Sequence, residues 1–242
     1  MTARLVTQVA LAPGMSAAAR EEIAQALSGS AATLDGVVRT HAGLHHPGSV
    51  GEGDLTWDLL FESAAALDVF CERAGNAGRD GFAEAMGGEP ARWAKRIRWI
   101  EAAIPEPIEV RIGRPGLVGV KRTLWLRVED ACAAAALARF EAETPLLAVA
   151  IPAIRNWSWS RTRIDAPNPM KTRWTHLWEQ EFETLDGLEI DYMSSPSHWG
   201  HVDRWFDPEM PERIVDLELG HLSCPETEPV LSWGRSEVSP IP

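Results

Sequence analysis

Hydrophobic and polar positions alternate with a period of two in several stretches of this chain. Between those stretches apolar residues recur at three- and four-residue spacing, so strands and helices take turns. The first strand is predicted over RLVTQVALA, 4–12, followed by the turn Pro13-Gly14 and a helix AAAREEIAQAL with Ser16 as its N-cap. Strands at 36–44 and 54–62 flank the loop HHPGSVGEG, and Ser63 caps a helix over AAALDVFCERA. The Gly-rich stretch 75–90 reads as loop, ARWAKRIRWIEAA as a basic amphipathic helix with its Trp and Ile inward, and PIEVRIGR at 107–114 as a fourth strand.

A second series follows. VKRTLWLRVE is a strand, DACAAAALARFEAET a helix capped by Asp130, and AIRNWSWSRTR and TRWTHLWEQEFE two further strands. Leu185, Leu188 and Tyr192 share one side of a short helix that Pro196 should end, and RIVDLELGHL at 213–222 supplies the last strand. In the fullest alternation, Trp174, His176, Trp178, Gln180 and Phe182 share one face of a half-buried strand, with Thr175, Leu177, Glu179 and Glu181 opposite. Two βαββαβ units in succession predict an α+β chain of duplicated ferredoxin-like units whose sheets pack face to face. The boundaries read 1–114 for the first unit, 119–224 for the second and 225–242 for an irregular tail, with RPGLVG as the linker.

Composition narrows the functions. With 242 residues and 45% hydrophobic positions the chain can bury a substantial core. A net charge of -12 opposes nucleic-acid and anionic-membrane partners, and no apolar run approaches the roughly 20 residues of a membrane span, so a soluble, cytoplasmic protein is expected. Cys71, Cys132 and Cys224 are widely spaced and read as buried thiols.

Residues 174–206 carry the most chemistry, because they set the chain's one tyrosine and three of its seven histidines beside several of its eleven tryptophans. Acid-base groups next to an aromatic wall predict a small-molecule pocket. A histidine can take a proton near neutrality while a tyrosine hydroxyl holds a developing oxyanion, so Tyr192 and His198 either form an acid-base pair, with His198 as the base, or merely close a helix turn. His176, His198 and His201 could together ligate a metal, but neither metal nor cofactor is expected. His41 and His45, beside His46, share one strand face if the strand at 36–44 persists, while HHPG reads as a solvated turn. Arg155, Arg161 and Arg163, alternating with Trp157 and Trp159, could pair with an aromatic acid but read as edge-strand residues facing solvent.

Three segments of the second unit resemble a known family, the stress-responsive dimeric α/β-barrel proteins, and within it the plant polyketide cyclases. IPAIR at 151–155 is similar to the segment before that family's second strand, WTHLWEQEF at 174–182 to its third strand, and Tyr192 with Pro196-Ser197-His198 to its YxxHPxH segment. The resemblance spans roughly residues 120–222. It implies Tyr192 and His198 as a catalytic pair, His176 as a pocket residue, and an intrachain dimeric α/β-barrel in place of the family's usual homodimer. The first histidine of HPxH is Ser195 here, and Arg122 stands in the first strand where histidine is frequent, which favours an anionic substrate such as a carboxylate or phenolate. The first unit has Phe70 in place of the tyrosine and is expected to be structural. The expected function is metal-independent lyase or cyclase chemistry on a hydrophobic aromatic or polyketide-like carbonyl compound, bound by His176, Arg122, Trp174, Trp178 and Trp159. The alternatives are a noncatalytic stress protein holding an apolar metabolite and a monooxygenase or haem-binding barrel. The assembly would be a fused monomer or a homodimer.

Overall fold

The alternating stretches pair into two antiparallel sheets in the structure, a computed structural model that describes residues 1–51, 53–76, 94–114, 116–163 and 172–235. The elements run β1 (Ala3–Leu11), α1 (Ala17–Ser28), β2 (Val37–Leu44), β3 (Leu55–Phe61), α2 (Ala64–Asn76), β4 (Ile97–Ala103) and β5 (Pro105–Ile112). They continue with β6 (Val120–Leu126), α3 (Ala134–Glu143), α4 (Leu146–Ala150), β7 (Ile154–Thr162), β8 (His176–Phe182), a π-helical turn (Gly187–Tyr192), α5 (Pro196–His201), α6 (Asp203–Phe206) and β9 (Gly220–Pro225). One sheet has the order β2-β3-β1-β4 and the other β5-β7-β8-β6-β9. With β5 set aside, both orders are the ferredoxin-like one, in which the first strand lies between the third and the fourth. The fold is therefore α+β and ferredoxin-like in both halves.

Contacts divide the chain into two units. The first comprises Met1–Glu106, Thr162–Arg173 and Leu222–Pro225, and the second Pro107–Arg161, Trp174–His221 and Glu226–Pro242. Ser16 and Ser63 cap their helices as expected, each hydroxyl accepting the backbone N–H three residues on.

Four local expectations are corrected. ARWAKRIRWIEAA is not a helix where it is described: a 3₁₀ turn at Ala94–Arg96 leads into β4, which pairs with β1 from Val6↔Ala103 to Leu11↔Ile97. Backbone groups on that side of β1 need partners, and satisfying them overrides the helical spacing of the side chains. The expected loop over 77–90, and residues 91–93, lie outside the described residues. PIEVRIGR does not close the first sheet; β5 is an edge strand beside β7, the place where Pro105 and Pro107 cost no ladder hydrogen bond. Asp130 does not cap α3, whose N-cap is Ala133 without a side-chain bond. The last strand is β9, while Val215 makes only an isolated bridge to Val128.

β8 departs from the half-buried pattern, since all seven of its residues are buried. On the face opposite His176, Trp178 and Gln180, the fully buried Lys121 and Glu179 pair at 3.0 Å. Glu181 accepts from Asn156 at 2.6 Å and from the backbone of Leu231 at 2.7 Å. Burial raises the Glu181 carboxyl above its usual range. The stretch after Pro225 is irregular but anchored, with Val230, Leu231 and Trp233 buried; residues 236–242 lie outside the described residues.

Candidate functional site

The second unit packs an apolar core against the face of β6, β7 and β8 that carries Leu124, Trp159 and Trp178. Phe140 of α3 is the hub, with Trp159, His176 and Trp205 at ring-centroid distances of 5.3, 5.7 and 5.8 Å. Beside this core lies a cavity of about 110 Å³. Its deeper wall is Arg122, Leu124, Trp178 and Tyr192, all buried, and its half-buried rim includes Asp203, Phe206, Leu219 and His221.

Local structure explains how the polar groups reach it. The π-helical turn ends on Tyr192, burying its ring against Phe182 at 5.7 Å. Pro196 then takes the first position of α5, where its missing N–H costs nothing. Ser195 caps this helix through Oγ, which accepts from the Ser197 backbone at 3.3 Å. Within that one turn His198 faces inward and is buried, whereas His201 is exposed. The Tyr192 and His198 rings meet edge-on at 4.7 Å. The Nδ1 of His198 is buried and has no hydrogen-bond partner among the described residues.

Arg122 is 1% exposed and organises the polar side of the cavity. Its Nη1 donates to Gln180 Oε1 and, at 3.3 Å, to the Tyr192 hydroxyl; its Nη2 donates to Nε2 of His221. The guanidinium carbon lies 4.9 Å from the Tyr192 ring centre. Burial and the Arg122 charge hold the His198 imidazole down at about 4, so it is neutral near pH 7 and able to accept a proton. The Arg122 charge, with burial second, holds His221 at about 2. Because the Tyr192 oxygen accepts from Arg122, its own proton is left to donate to a ligand oxygen.

Of the residues expected from sequence, the structure brings Arg122, Trp178, Tyr192 and His198 to one cavity. His176 is elsewhere on the same sheet face: Nε2 donates to Glu141 at 3.1 Å, Nδ1 accepts from Thr175 at 2.9 Å, and the ring stacks on Trp159 at 5.0 Å. Glu141 also takes a bidentate pair from Arg161, at 2.5 and 2.7 Å, so His176 belongs to a structural network. Trp159 donates its indole N–H to the Glu141 carbonyl at 3.2 Å, and Trp174 meets Trp125 edge-on at 6.3 Å; neither lines the cavity. The triple-histidine metal arrangement is not assembled, and no group of three or more His, Cys, Asp or Glu among the described residues could hold a metal ion.

His221 is a cavity residue that the sequence reading missed. The residue stood in the predicted last strand, which the ferredoxin-like order sets beside the first, but no local spacing in the sequence turned its ring toward Arg122. The other histidine group is less solvated than expected. His41 is buried with Nε2 donating to the Pro225 carbonyl at 3.1 Å. His45 donates from Nδ1 to Gly53 and accepts at Nε2 from Thr56, both at 2.9 Å. Arg155, Arg161 and Arg163 each pair with a carboxylate, on Glu183, Glu141 and Asp68.

Residues 120–217 match the family described as Stress responsive A/B Barrel Domain. No curated protein matches the chain. Among solved structures, a putative monooxygenase from Fusobacterium nucleatum is similar over 95% of this chain and 94% of its own, at 6% identity and a TM-score of 0.57. An anthrone oxidase-like protein is similar over 93% and 90%, at 14% identity and a TM-score of 0.55. A chlorite dismutase variant from Candidatus Nitrospira defluvii is similar over 96% and 94%, at 9% identity and a TM-score of 0.51. At such identities the likeness is one of fold.

Proposed function

From residues 120–217 as a stress-responsive A/B barrel domain, we propose that the second unit performs acid-base chemistry on a small hydrophobic carbonyl compound, aromatic or polyketide-like. The observation that carries this reading is the pairing of Tyr192 with a neutral His198 whose buried Nδ1 lacks a partner, both on the wall of an apolar cavity. His198 would take a proton from the carbon next to the carbonyl, and Tyr192 would donate a hydrogen bond to the oxygen as it gains charge. The resulting enolate can add to a second carbonyl, closing a ring when both lie in one molecule, or expel a β-hydroxyl that leaves as water with the proton held by His198. In the reverse cleavage His198 takes the β-hydroxyl proton and the released enolate takes it back, so aldol, cyclisation, dehydration and retro-aldol steps need no metal. The first unit is the structural half, since Phe70, at the place of the tyrosine, is packed at 5.2 Å against Phe61.

The test is a mass-detected screen of aromatic acids and phenolic ketones with the native protein, Tyr192→Phe and His198→Ala. Turnover in the native protein that falls about 100 to 10,000-fold in both folded variants is the expected result. Equal turnover in all three overturns the assignment. Ligand binding without turnover in the native protein would make the cavity a noncatalytic metabolite site, and product formation that consumes dioxygen would favour the oxygenation suggested by the Fusobacterium protein's name.

A further inference from the structure

A cation withdrawn from water is costly unless a counter-charge offsets the loss of hydration. Arg122 is withdrawn almost completely, at 1% exposure, yet no carboxylate among the described residues pairs with it. Its three protein partners, Gln180, Tyr192 and His221, supply neutral oxygens and a ring nitrogen. Asp203 is on the cavity rim, but its carboxyl is held above the usual range by burial and by Asp207, so Arg122 gives it no relief. Three of the five guanidinium N–H groups are committed. The Nε–H is buried without a partner, and one Nη2–H is uncommitted, leaving two donors on different nitrogens.

Chemistry and size together define what would complete this arrangement. Planar guanidinium donors match a carboxylate better than any single-oxygen anion. The cavity, at about 110 Å³, is smaller than the ~150 Å³ of a closed apolar cavity that admits benzene, but it opens at its half-buried rim, so a body of one ring at most fits with its outer edge toward solvent. We propose that the cavity takes a small monocarboxylate with a ring-sized apolar body, its carboxylate paired with Arg122 and its body against Leu124, Leu147 and Trp178. The proposal rests on the reading of this cavity as the functional site and adds the charge of its ligand. His221 and Gln180 act as positioning residues that hold the guanidinium in place before the ligand arrives.

Calorimetric titration of the native protein with benzoate and with its neutral analogue benzamide tests this without any turnover. Saturable binding of benzoate with benzamide at least tenfold weaker is the expected result, together with loss of that preference in Arg122→Gln and its partial retention in Arg122→Lys. Equal affinity for the two probes in the native protein overturns the proposal, as does undiminished benzoate binding by Arg122→Gln or the absence of saturable binding at millimolar concentration. The comparison of two ligands on one native protein stands even if a variant fails to fold. A failed turnover screen would leave this result intact, and failed benzoate binding would leave the Tyr192 and His198 test standing.

Discussion

Arg122 imposes its charge on the two histidines of the cavity, and it does so unequally. For His221 the guanidinium is the leading cause of an imidazole held at about 2, whereas for His198 burial leads and Arg122 is second in holding it at about 4. Tyr192 from the π-helical turn and Asp203 from α6 complete the ionisable groups around them. Replacing Arg122 with Gln should therefore lift both histidines toward the ordinary 6.5, with His221 travelling further. Imidazole resonances followed through a pH titration measure this directly, and a His221 that stayed where it was would assign its depression to burial. A bound carboxylate would act in the same direction as the substitution, so the ligand itself would make His198 a stronger base at neutral pH.

At the scale of elements, helix α3 matters because it carries Phe140 and Glu141, the hub of the aromatic core and the anchor of His176. Its N-terminus has Ala133 at the cap with extended backbone and no side-chain acceptor. Ala133→Asp should supply that acceptor and stabilise the fold by about 1 kcal/mol, raising the melting temperature by roughly 2–4 °C; an unchanged melt would count against the cap being open. The buried pair between β6 and β8 carries the opposite sign. Glu179→Ala removes the carboxylate 3.0 Å from the buried Lys121 ammonium and should be destabilising, by about 3–5 kcal/mol at most because Glu181 also interacts with that charge, while the double replacement Lys121→Met with Glu179→Leu should recover most of the loss. Denaturant midpoints of the three variants decide it.

The same elements show what could be read from residues alone. The two-residue alternation of β8, the serine caps of α1 and α2, and the approach of Tyr192 and His198 across one turn all rest on local spacing, which a sequence displays. Burial of Glu179 and Glu181 was not legible, because charged residues at alternate positions ordinarily mark a wet face and only the sheet order brings Lys121 and Asn156 to meet them. Nor was β4, whose side-chain spacing is helical while its backbone serves β1. Nor did local spacing turn the His221 ring of β9 toward Arg122.

For the whole molecule, the buried histidines tie stability to acid. His45 in the first unit, with Asp54, His46 and Arg20 around it, is held at about 4 chiefly by burial, like His198 in the second. Above 6.5 these histidines are neutral in both the folded and the unfolded chain, and their contribution is fully present. As pH falls below that value the unfolded chain binds protons that the folded one refuses, so stability is lost progressively down to about 4, and further for His221. Urea midpoints should be level between about pH 7 and 8 and fall steadily from about 6.5 to 4; a midpoint indifferent to that range would contradict the burial of these rings.

Tyr192 is the chain's one tyrosine, and it is on the cavity wall. Any label delivered through tyrosine therefore goes to this site alone. Protein grown on fluorotyrosine would give a single fluorine resonance, and 3-nitrotyrosine, told apart from nitrated tryptophan by peptide mass mapping, could form at one position only, where its loss would report protection by a bound molecule. The molecule thus carries a built-in reporter of occupancy, one that can sort metabolites by whether they enter before any reaction has been found.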